Sequence, residues 1–84
     1  MSASAYEEAL DAVFTAATTA LHARERVRAA FAAYQTVLDV GASGYMAEDR
    51  RAAYLAAHEA DIACSKALGA LAEASRVWAS AAVV

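Results

Sequence analysis

Residues 6–39 read YEEALDAVFTAATTALHARERVRAAFAAYQTVLD. Stepping through them by alternate fours and threes gives Tyr6, Leu10, Val13, Ala17, Ala20, Arg24, Val27, Phe31, Tyr34 and Leu38 without a slip. That spacing gathers side chains onto one stripe of an α-helix, in the manner of a heptad seam. The second half of the chain repeats it as Tyr54, Ala57, Asp61, Cys64, Leu68, Leu71, Ser75 and Trp78. Doubling the chain back between the stripes sets Phe31 against Tyr54, Ala20 against Cys64, Ala17 against Leu68, Val13 against Leu71 and Tyr6 against Trp78. It also sets Arg24 against Asp61, the only charges in either stripe. The expected fold is all-α: an antiparallel two-helix hairpin, a coiled coil occupying the whole chain as one domain.

Composition supports this. The chain has no proline and three glycines, and 27 of its 84 residues are alanine, the residue that loses no side-chain entropy in a helix. Ser4-Ala5-Tyr6-Glu7 has the form of a capping box, and Glu7, Glu8 and Asp11 suit the positive end of a helix. Gly41 is the expected left-handed residue closing helix one, and Ser43 the expected cap of helix two, followed by Glu48 and Asp49. The expected spans are about 4–39 and about 45–80, joined by a turn over about 40–44, each helix roughly 50 Å long. The echo of Arg28-Ala29-Ala30-Phe31 in Arg51-Ala52-Ala53-Tyr54 reads as alanine-rich bias, not duplication.

A net charge of −3 removes the basic surface that nucleic acid requires. One cysteine allows no internal disulfide. The longest apolar segment, Ala9 to Leu21, carries Asp11 and three threonines and falls short of the roughly 18 to 20 apolar residues a membrane span needs. The start of the chain lacks the basic and apolar regions of a secretory signal. A cytoplasmic location is expected, with export by a signal-free route as the alternative.

Beside the two stripes lies a second apolar set. Phe14 and Leu21 on helix one, and Leu55, His58, Ile62 and Gly69 on helix two, fall on flanks that open to the same side of an antiparallel hairpin. A hairpin has a seam and no interior, and this seam is thin because Ala17, Ala20 and Ala57 bury little. A chain of about 70–80 residues seldom draws more than 3–5 kcal/mol from one core. The flank is therefore the expected protein interface, closing two hairpins into a homodimeric four-helix bundle, with Gly69 letting a neighbouring helix approach. Arg24 and Asp61 are the expected register pair, since an unpaired charge in a seam penalises every other alignment.

Chemistry is hard to place on this chain. The residues three before His22 and His58 are Thr19 and Leu55, so the Glu-x-x-His element of di-metal bundles is missing. His58, Asp61 and Cys64 share helical spacing, but the helix period alone groups them. Cys64 falls in the seam, where free cysteine behaves as a small hydrophobe. Gly41-Ala42-Ser43-Gly44 lacks the lysine and the preceding strand of a phosphate loop. Tyr6, Tyr34, Tyr54, Phe31 and Trp78 fall on seam positions and suit packing better than base stacking. Arg24, Arg26, Arg28, Arg50 and Arg51 share their half of the hairpin with Glu25, Glu48, Asp49, Glu59 and Asp61, a mutually neutralised face. The reading excludes an enzyme, a catalytic site, a metal and a cofactor.

What remains is a non-enzymatic protein-binding module, a homodimer acting as adaptor, assembly factor or inhibitor of another protein, of the kind small bacterial, phage or mobile-element chains supply. In length and two-long-helix shape the chain also resembles the WXG100 family. That resemblance implies a substrate or partner of type VII secretion. The family's Trp-x-Gly turn is replaced by Asp39-Val40-Gly41, and the Tyr-x-x-x-Asp/Glu spacing of Tyr45 and Asp49 stands before helix two instead of after it. A third class, a small dimeric RNA- or DNA-binding regulator, is disfavoured by the negative charge.

Overall fold

A computed structural model describes residues 3–40 and 47–83. Helix α1 spans Ala3–Val40 and α2 spans Ala47–Val83. The ring of Tyr6, near the start of α1, lies 6.1 Å from that of Trp78, near the end of α2. Tyr34, late in α1, meets Tyr54, early in α2, edge to face at 5.9 Å. Contacts at both ends in that order make the pair antiparallel. The result is a rod with Cα extents of 64 × 13 × 13 Å. Its radius of gyration is 18.7 Å, against about 12 Å for a compact domain of this length.

The helices run somewhat longer than the sequence pattern outlines. Ser4 lies inside α1, not ahead of it, so it does not act as the N-cap, and Glu7 and Glu8 fall beyond the first turn. Glu48 and Asp49 occupy the first turn of α2 as expected, where carboxylates favour the helix dipole. Past Ser80 the chain continues Ala81-Ala82-Val83 with no stop signal, and α2 continues with it. The expected caps Gly41 and Ser43, together with Tyr45, lie outside the described residues. The threonine hydroxyls are absorbed locally: Thr18, Thr19 and Thr36 each donate to the carbonyl four residues back at 3.0 Å.

The seam differs from the expected stripe by a rotation. Val13, Ala20, Val27 and Tyr34 face α2, and Ala57, Cys64, Leu71 and Trp78 face α1. The alternate positions have moved by one residue. Ala23, Ala30 and Val37 take the places expected of Arg24, Phe31 and Leu38; Ala53, Ala60 and Ala67 take those of Tyr54, Asp61 and Leu68. The buried residues are Ala9, Ala20, Ala23, Val37, Ala57 and Ala67, none larger than valine. Ala20, Ala23 and Ala67 form one cluster, with Cys64 and Leu71 packed against it. The physical reason is twofold. Alanine lets helix axes close toward the short end of the 8–10 Å range, and turning both helices lifts Arg24 and Asp61 out of a site where their desolvation costs several kcal/mol each.

Among the described residues, Trp78 carries a buried polar atom that the seam leaves unpaired. Its indole Nε1 is buried and has no hydrogen-bond partner, and an unsatisfied buried donor costs about 1–3 kcal/mol. Trp78→Phe keeps a ring against Tyr6 and removes the donor, so it should leave thermal stability unchanged or raise it. Trp78→Ala should cost about 3 kcal/mol by losing the ring. Melting curves of the two variants check this; a Trp78→Phe loss as large as that of Trp78→Ala would show that the N–H is satisfied.

Candidate interaction face

With alanine in the seam, the large apolar side chains are left outside. Phe14 is 63% and Leu21 60% exposed. Phe31, Leu38, Tyr54, Leu55, Ile62 and Leu68 are also exposed. Helical spacing sets Phe14, Leu21, Phe31 and Leu38 on the flank of α1 that turns the same way as the Tyr54 and Leu68 flank of α2. An open groove of about 540 Å³ confirms the juxtaposition: Ala17, Ala20, Leu21 and Arg24 form one wall, and Cys64, Leu68 and Leu71 the other. Small side chains at Ala17 and Ala20 leave this notch between larger neighbours. The opposite side is built mostly of small residues, Ala12, Thr19, Ala33, Ala56, Ala63 and Ala70, with Arg26 and the exposed Val77 on the same stripes. The rod thus has a bulky side and a flat side.

The expected interface set divides accordingly. Phe14, Leu21 and His58 are exposed toward the bulky side, whereas Leu55 and Ile62, each midway between two seam residues of α2, are exposed on the back of that helix. His58 lies flat on Tyr54, its ring 6.1 Å away and 4° from parallel, which extends the apolar surface along α2. Gly69 shares the stripe of Leu55 and Ile62, and a methyl group there would meet nothing within 4 Å. Four members of the face escaped the sequence reading. Phe31, Leu38, Tyr54 and Leu68 stood in the expected seam; the signal that could have found them was the pair of charges in that same stripe.

The register pair needs correction. Arg24 and Asp61 are both exposed, and no ion pair joins them within one hairpin. Ion pairs that do form, Glu25–Arg28 and Glu73–Arg76, are three residues apart on one helix. Both are surface pairs of the kind that contributes little, so register comes from packing at the aromatic ends and the alanine cluster. Arg24 and Asp61 instead lie within the bulky face, Arg24 on the wall of its groove.

The face offers apolar area and little reactive chemistry. Among the described residues no three His, Cys, Asp or Glu side chains come together as metal ligands; His58 and Asp61 are exposed while Cys64 is half-buried. No described helix is long and apolar enough to cross a membrane. The chain matches no protein-family model, no curated protein and no solved structure.

Proposed function

We propose that this chain is a non-enzymatic interaction module that works as a homodimer, two hairpins joined through their bulky faces into a four-helix bundle. The observation that carries the reading is surface area. The chain exposes 5963 Å², whereas a compact monomer of its mass exposes about 4,700 Å². The excess of about 1,200 Å² exceeds the roughly 800 Å² that each partner buries in a standard interface. Phe14, Leu21, Phe31, Leu38, Tyr54 and Leu68 are gathered on one side, which is how a contact surface differs from the scattered exposed leucines of any protein. A second copy covers that side with an identical set of side chains.

In this reading the flat sides and helix ends of the bundle stay available to another protein, as an adaptor, assembly factor or inhibitor would use them, and the setting is the cytoplasm. The net charge of −3 and an apolar contact face both weigh against nucleic acid as the ligand. Sedimentation at micromolar concentration tests the dimer. The expected mass is twice the 8.7 kDa of the chain; a single-chain mass at tens of micromolar overturns the reading.

A further inference from the structure

The dimer can close in two ways. A two-fold axis lying in the contact plane runs either along the rod or across it. Along the rod, α1 of each copy rests on α2 of the other. Across the rod, α1 rests on α1 and α2 on α2. In both, neighbouring helices are antiparallel, so helix packing alone does not choose.

The charges within the face do choose. Ala20, Ala23 and Ala67 form one cluster with Cys64 and Leu71 packed against it, which sets Ala23 about level with Cys64. From that level Arg24 is displaced by about 1.5 Å and Asp61 by about 4.5 Å along the rod, in the same direction. An axis along the rod preserves levels between copies. Arg24 of one copy then stands within about 3 Å, along the rod, of the level of Asp61 in the other, well inside the reach of an arginine. An axis across the rod must match Phe14 with Leu38 and Leu21 with Phe31 to bury the apolar row of α1. That places Arg24 against Arg28 and, because Asp61 is level with Arg26 at the centre of that match, sets Asp61 against Asp61. Like charges directly opposed in an interface exclude a partner arrangement as effectively as attraction selects one.

We propose that the two copies join about an axis along the rod, with Arg24 of each hairpin paired to Asp61 of the other. This rests on the homodimer proposed above and adds its orientation. The two charges that find no partner within one chain find each other between chains, twice, by symmetry. They act as the specificity element of an otherwise greasy surface. At this level the Leu21 side chain of the second copy also stands beside the groove left by Ala17 and Ala20.

Dissociation constants from sedimentation equilibrium decide between the axes. Asp61→Asn and Arg24→Ala should each weaken the dimer about tenfold, whereas the axis across the rod has Asp61→Asn tighten it. In a Cys64→Ala background, a short bis-maleimide should link an Arg24→Cys copy to an Asp61→Cys copy when the two are mixed, and should link neither to itself. A wild-type chain that stays monomeric overturns the dimer and the orientation together. A stable wild-type dimer that Asp61→Asn tightens, or in which the Asp61→Cys copies link to each other, overturns the orientation alone.

Discussion

Leu21→Asp is expected to convert the dimer into single hairpins at any concentration used in solution work. Leu21 is 60% exposed in one hairpin, stands on the wall of the groove and, on the proposed reading, is covered by the second copy. The substitution acts twice in a symmetric dimer. Each lost leucine is worth about 1.5–3 kcal/mol of burial, so the pair costs about 3–6 kcal/mol, or roughly a hundredfold to ten-thousandfold in dissociation constant. The carboxylates left in an apolar interface add to the loss. Ala70→Asp places the same charge on α2, exposed, on the flat side, and should leave the mass of the dimer unchanged. Sedimentation of both variants beside the wild type reads the outcome, and equal effects would mean that the bulky side is not the contact. Because association of the folded chain shifts its apparent stability, the Leu21→Asp hairpin should also melt earlier than the wild type, and the wild type should melt earlier on dilution.

Period and phase were unequally legible in the sequence. The period is plain because alternate fours and threes persist through alanine as well as through larger residues, and Val13, Ala20, Val27, Tyr34, Ala57, Cys64, Leu71 and Trp78 satisfy it in any phase. Direction was legible too, since Tyr6 and Trp78 can meet only if the chain doubles back. Phase was not. Ala23, Ala30 and Val37 make a stripe as regular as Arg24, Phe31 and Leu38. Choosing by hydrophobicity favours the larger set. Two helices with few large side chains between them gain more from close approach, through the dispersion contacts of tightly packed atoms, and close approach selects the smaller. The same error hid half of the bulky face. Phe14, Leu21, Leu55 and Ile62 stood off the expected seam and were assigned to the interface, of which the observed phase keeps Phe14 and Leu21 on the bulky side, while Phe31, Leu38, Tyr54 and Leu68 were assigned to the seam. Two charges in a seam are a local conflict, and such a conflict argues against the assignment that creates it. Arg24 and Asp61 therefore pointed to the phase, although they could equally be read as its lock.

The phase makes a demand on stability that the alternative does not. Ala67 is buried against Ala20 and Ala23, whereas the neighbouring Leu68 is 54% exposed. Ala67→Leu drives extra methyl and methylene groups into the closest approach of the two helices. Overpacking of this kind costs about 1–3 kcal/mol in cores that can adjust. A seam of alanines opposite alanines has no flexible side chain to yield, so the upper end is expected. For a domain of this size that is a fall in melting temperature of roughly 10–20 °C. Ala70→Leu, the same change at an exposed position of the same helix, should leave melting within a few degrees, since leucine and alanine differ little in helix propensity. Leu68→Ala should spare the hairpin and weaken the dimer. Measuring all three in the Leu21→Asp background, by the helical dichroism of the monomer, separates the seam from the contact between copies. If Ala67→Leu melts with its parent while Leu68→Ala falls, leucine 68 belongs between the helices, Arg24 and Asp61 return to the seam beside it, and the pairing of those charges is internal to one chain.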